Sequence, residues 1–276
     1  MKKRHVLLVG DYGHRDFADA AGWLSHHCRL ARRHSVDAAL SWLHDERSPD
    51  VMVFAQSRPG QLSQREIERL HAVSPLSRLV ALLGSWCEGE TRTGRPWHGL
   101  LRIYWHQWRP RMSIELLEAA VSGYCVLGMH RTATASEQYE RLAESVFPQR
   151  QGLVAIHTQT FQMYEALSDA CDQGGLATVW IPPASPARSS GAAAAIWDGI
   201  SADSYEIGLL EEVVEQHRPA PVIALMDFVR GNDRDRALAA GASFAVAKPF
   251  LTNELLWQLD QAIGEAGHQS AVSHAA

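Results

Sequence analysis

Short apolar runs alternate with amphipathic segments along this chain, and the series occurs twice. The first set of runs is His5–Val9, Arg29–Arg33, Val51–Ala55, Leu79–Leu83 and Leu100–Trp105. The second is Leu153–Ile156, Ala177–Ile181, Ala193–Asp198, Val222–Met226 and Phe244–Ala247. Helical spacing fills the intervals Asp16–Cys28, Val36–Glu46 and Ser63–Val73, then Phe161–Gln173, Tyr205–Gln216 and Asp233–Ala240. Each half closes on a further helical segment, Met112–Ser122 or Thr252–Ala266. Short strands joined by helices run parallel, with helices on both faces of the sheet. The prediction is an α/β chain with two doubly wound, parallel five-stranded sheets.

Two segments break the pattern. Pro182–Gly191 is rich in Pro, Ser and Gly and stands where the second half would place its second helix, so a loop is expected there. Residues 123–151 fit neither half and read as a connector with one helix over Thr134–Phe147, where Tyr139, Leu142 and Val146 share a face. The expected organisation is a first domain over 1–122, the connector, a second domain over 152–266 and a disordered polar tail over 267–276.

The 276 residues are 46% hydrophobic, enough for real cores. A net charge of −5 argues against a nucleic-acid partner, which needs a concentrated basic excess. No apolar run approaches the ~18 residues of a membrane span. Val6–Val9 is too short for the core of a signal peptide. Four scattered cysteines without a CxxC pair read as reduced thiols. These features predict a cytoplasmic protein with no membrane association.

The run Gly241–Phe250 places Lys248 at the carboxyl end of a strand that Pro249 terminates, since proline cannot donate to the ladder. Open α/β sheets carry ligand groups at that end. Asp198 ends another run in the same half. Met226 lies 28 residues after Asp198, and Lys248 lies 22 after Met226. With these intervals, the Pro221–Leu225 run and the Gly241-Ala242 turn, residues 153–265 resemble a response-regulator receiver domain. The resemblance implies a flavodoxin-like (CheY-like) fold and Asp198 as phosphoacceptor. It also implies that Lys248 contacts the phosphoryl group and that a histidine kinase or an output protein is the partner. It further suggests dimerisation through the face of the fourth helix and fifth strand. The first half is similar over 4–118: Asp11 follows the first strand, Ser48-Pro49-Asp50 leads into the third, and Arg58-Pro59-Gly60 follows it.

Both halves depart from the receiver pattern. The acidic pair that holds Mg²⁺ in receivers is replaced by His157-Thr158, and Met226 stands where a hydroxyl belongs. In the first half only the second acid, Asp11, is kept, the acceptor position is Ala55, and no Lys-Pro ends the fifth strand. Magnesium prefers oxygen ligands, so its binding should be severely weakened. The expected function is therefore two-component-type signalling or scaffolding through protein contacts of degenerate, pseudo-receiver domains, without enzymatic activity and with phosphoryl transfer weak or absent. Mg²⁺ enters only if Asp198 is phosphorylated; no other cofactor is expected. Two alternatives stay open. One is a regulator still phosphorylated on Asp198, with His157 or Asp227 assisting a metal. The other is a small-molecule or nucleotide site at the sheet-top crevice.

Asp198 and Lys248 also admit a purely structural ion pair. Asp203 and Glu206 read as a helix start or solvated surface. Nine tryptophans are present, and Trp105, His106 and Trp108 form a cluster that reads either as an interface or as core. Arg95, Arg102, Arg109 and Arg111 surround it and suit pairing with rings or carboxylates. His26, His27, Cys28 and His34 lack the spacing of a structural zinc site.

Overall fold

Ten parallel strands form two sheets of five in the computed structural model, which describes residues 3–45, 48–118, 125–143, 149–183 and 191–274. The chain divides into two units, Met1–Ser145 and Val146–Ala276. The first contains β1 (His5–Gly10), α1 (Ala18–His27), β2 (Arg29–Arg33), α2 (Val36–Asp45) and β3 (Val51–Gln56). It continues with α3 (Gln64–Val73), β4 (Arg78–Leu83), a single turn α4 (Glu90–Thr93), β5 (Leu101–Tyr104), α5 (Trp108–Ser113) and α6 (Ala135–Ala143). The second contains β6 (Leu153–His157), α7 (Phe161–Gln173), β7 (Ala177–Ile181), β8 (Ala194–Asp198) and α8 (Ser204–His217). It ends with β9 (Val222–Asp227), α9 (Gly231–Ala239), β10 (Phe244–Lys248) and α10 (Thr252–His274).

The strand orders are β2-β1-β3-β4-β5 and β7-β6-β8-β9-β10. Central strands are apolar along their whole length because both faces are covered. Val6–Val9 and Met52–Ala55 are fully buried, as are Ala194–Ile196. In the second sheet one face carries Ala155, Ala195, Ala224 and Ala247 under α8 and α9. The other carries Val154, Ile156, Ile223, Leu225 and Val246 under α7 and α10. Alternating side chains of a strand supply the two faces. Local signals set the helix starts. Ser63 and Glu66 form a reciprocal capping box on α3, and the Asp203 carboxylate accepts from the Tyr205 and Glu206 amides at the start of α8.

Several boundaries differ from expectation. The fifth strand stops at Tyr104, and Trp105–Gln107 is a 3₁₀ turn. The closing helix starts at Trp108 and widens to a π-helix over Ile114–Glu118. The hydrophilic stretch Gly89–Gly94 contains the turn α4. The segment expected as a connector is attached, in its described part to Ala143, to the first unit. Glu115 binds the amides of Val126 and Leu127, and Arg131 is clamped by Glu68 and the Gly99 carbonyl. The last helix continues to His274, beyond the 266 boundary, because no proline or turn pair interrupts residues 267–274. Most of the expected loop Pro182–Gly191, residues 184–190, lies outside the described residues, as do 144–147 of the expected connector helix and 119–122 of the expected closing helix.

Candidate functional site

The carboxyl ends of β8, β9 and β10 bring three charged side chains together. Lys248 pairs with Asp227 in the β10–β9 register, and Asp198 ends the next strand over. The Lys248 ammonium lies 2.7 Å from Asp198 Oδ1, 3.0 Å from Asp227 Oδ1 and 2.8 Å from the Gly199 carbonyl. An ammonium has three protons to donate, and here three oxygens receive them. Burial acts to lower the pKa of Lys248, but the hydrogen bonds and charges of Asp198 and Asp227 outweigh it and hold the ammonium above its usual value. The other oxygen of Asp198, Oδ2, accepts from the Thr158 hydroxyl at 2.7 Å. Both oxygens of the would-be acceptor are thus engaged.

Met226 is buried in the alanine-rich core beneath this site, together with Trp197. It offers no donor to a phosphoryl oxygen. Of the residues expected to replace the missing acids, Asp227 joins the site and His157 does not. Asp227 projects from the strand end to the ammonium. His157 shares the face of Ala155 and turns its Nε2 to His217 Nε2, 2.7 Å away. Glu206 is buried and accepts from the Ile200 amide, so it ties the loop after β8 to α8.

Burial first, and the neighbouring His217 second, push His157 down to about 4; burial also lowers His217. In the unfolded chain a histidine titrates near 6.5. Between those two pH values the unfolded chain binds protons that the folded chain does not. Stability is therefore complete above about pH 6.5 and falls as pH is lowered towards 4, by at most about 3 kcal/mol from this residue. Urea midpoints measured from pH 7.5 to 4.5 should show this loss, and His157→Asn should flatten it.

The equivalent edge of the first unit is built differently. Ala55 is fully buried at the acceptor position. Gly10 holds the place of the first acid with φ +104°, and a Cβ there would sit 2.4 Å from the Ala55 carbonyl oxygen. That carbonyl accepts from the Asp11 amide at 3.1 Å. The Asp11 carboxylate is taken by the Ser57 hydroxyl and by Gln61 Nε2 at 3.3 Å. Backbone packing, Ser57 and Gln61 fill the space around Asp11 at this edge, and the buried Asp16 carboxylate accepts from the Ser85 amide beside it.

The aromatic cluster resolves towards core. Trp105 and Trp108 are 4% and 0% exposed, so neither presents an interface in this unit, and the His106 side chain is nearly covered beside Glu88. Of the nearby arginines, Arg102 pairs with Glu90 and Arg109 with Asp19. His34 bonds Tyr12, and the buried Cys28 thiol is pushed up to about 11 by desolvation. Among the described residues no cluster of three or more His, Cys, Asp or Glu is placed to hold a metal.

Sequence patterning does not reveal the apolar rim at this edge. Ile200 and Phe228, on the loops after β8 and β9, and Tyr205, in the first turn of α8, are 56%, 67% and 74% exposed. The two loops are joined by the Asp227 amide donating to the Ile200 carbonyl at 3.1 Å. Phe228 adopts φ +47°, a left-handed conformation that a bulky residue takes at a cost of ~1–2 kcal/mol. Such a conformation can be read only from coordinates.

No family model matches the chain, and no curated protein matches it. Solved structures do. The receiver protein from Pseudoalteromonas atlantica is 21% identical, covering 41% of this chain and 98% of that one with a TM-score of 0.36. A Francisella response-regulator receiver domain is 15% identical over the same shares, with a TM-score of 0.32. Each unit has the flavodoxin-like (CheY-like) fold. The strand order 2-1-3-4-5 with all strands parallel carries that statement by itself. A probable two-component response regulator/GGDEF domain protein is similar over 96% of this chain and 100% of its own, at 12% identity and a TM-score of 0.32. No helix among the described residues is long and apolar enough to cross a membrane.

Proposed function

We propose that this chain acts in two-component-type signalling as a tandem receiver-like scaffold that works through protein contacts and not through phosphoryl transfer. The observation that carries the reading is the occupation of Asp198. Its two oxygens are committed to Lys248 and Thr158, and Asp227 shares the same ammonium. Phosphoryl transfer relies on cations that neutralise the transferring oxygens. Here the oxygens that a divalent cation would need already surround an internal ammonium.

The exposed rim of Ile200, Tyr205 and Phe228 supports contact with a protein. Aromatic anchors dominate binding at interfaces, and strain in an exposed loop marks a functional position. The charge of the unit defines the partner further. Residues 1–145 carry 19 basic and 16 acidic side chains, whereas 146–276 carry 7 and 15. Glu211, Glu212 and Glu215 are exposed along α8, which starts at Tyr205's neighbour Ser204. A partner with apolar and basic groups fits this surface.

Capture of partners by the full-length chain, with and without a small phosphodonor and Mg²⁺, tests the reading. The same set should bind in both conditions and be lost from Phe228→Ala. A set that appears only with the phosphodonor and disappears in Asp198→Ala would instead support a receiver that still uses its acceptor.

A further inference from the structure

The amino-terminal ends of β4 and β5, opposite the edge where such sheets carry their usual ligands, hold a cleft of about 140 Å³. A strap over residues 125–133 roofs it. The strap has little regular structure and is held at both ends by charged groups. At one end Glu115, 3% exposed, accepts from the Leu127 amide at 2.7 Å, the Val126 amide at 3.2 Å and the Cys125 thiol at 2.9 Å. Burying a carboxylate is costly unless donors surround it, and this one is surrounded. At the other end Arg131 makes a two-pronged contact with Glu68, at 2.7 and 3.2 Å, and donates to the Gly99 carbonyl. Gly99 has φ +73°, and a Cβ there would lie 2.9 Å from the guanidinium, so only glycine lets Arg131 pass over the chain.

Of the arginines lining this cleft, the exposed Arg78 has no carboxylate partner among the described residues. Arg131 is matched by Glu68. Arg78, at the start of β4, donates only a long bond of 3.4 Å to the Met129 carbonyl. Leu79, Leu101 and Val126 supply buried apolar walls. His71 faces Arg131 through Nδ1 at 3.1 Å, and burial first and that charge second lower its pKa. The volume is below the ~300–1,000 Å³ of sites for drug-sized ligands, so the occupant is small.

We propose that this cleft binds a small organic carboxylate, with the Arg78 guanidinium holding the carboxylate and the apolar walls holding a short hydrocarbon body. The planar fork of arginine matches two carboxylate oxygens, which an ammonium does not. The inference is independent of the Asp198 site, because it concerns the other unit and other residues.

The test is a ligand-observed NMR titration of the full-length protein at constant ionic strength, with butyrate and inorganic phosphate as separate probes. Saturable butyrate binding is expected, weakened at least tenfold in Arg78→Ala and reduced in Arg78→Lys. It should be unchanged in Arg58→Ala, an arginine that lies over Trp86 and does not line the cleft. Far-UV circular dichroism checks that the variants fold. No saturable response, a response to phosphate alone, or equal binding by wild type and Arg78→Ala would overturn the proposal.

Discussion

Lys248→Ala is expected to destabilise the second unit by about 3 kcal/mol without divalent cations and to make its stability respond to Mg²⁺. The wild type should show no such response. Removing one partner of a largely buried charge cluster leaves the others uncompensated, which costs roughly 3–5 kcal/mol. Asp227 is 43% exposed at its side chain, so solvent screens part of this, and the lower end of the range applies. The truncation also leaves Asp198, Asp227 and the Gly199 carbonyl facing a space once filled by the ammonium. Oxygens of this kind are what Mg²⁺ prefers. Urea midpoints with millimolar Mg²⁺, against sodium at equal ionic strength, measure both effects. An unchanged midpoint, or a Mg²⁺ response equal to that of the wild type, would show that Lys248 does not occupy a cation position.

Gly10→Ala is expected to cost roughly 3–5 kcal/mol, the scale of severe backbone and packing strain. The added Cβ meets a backbone carbonyl at 2.4 Å, not the movable end of a side chain, and φ +104° is unfavourable for any L-residue. The same geometry bears on function. An acidic residue at this position would meet the same obstruction, so the first unit cannot regain its missing acid by one substitution. Thermal unfolding monitored by circular dichroism reads the effect directly. A loss below about 1 kcal/mol would mean that β1 and β3 separate easily at this edge.

The parallel sheets were legible because their strands are buried on both faces and read as continuous apolar runs. The Asp198 to Lys248 spacings placed two of the three charges at one edge. Asp227 was harder to assign, since its reach to Lys248 depends on the cross-strand register. A metal-assisting role for His157 stayed open because sequence shows its position at a strand end but not its face; Ala155 below it, packed under α8, sets it towards His217. By residue type Trp105 and Trp108 suited interface or core alike, and their burial within the first unit favours core. The strap over residues 125–133 was invisible as part of a domain because its anchors, Glu115 and Arg131, act across distances in the chain that no periodicity records.

An Asp198 held permanently in an ion pair with Lys248 would not accept a phosphoryl group. Intact-mass measurement of the full-length chain after incubation with a small phosphodonor and Mg²⁺ tests it most directly. An unmodified mass is expected for the wild type. A stable single phosphoryl adduct that is absent from Asp198→Ala would contradict it.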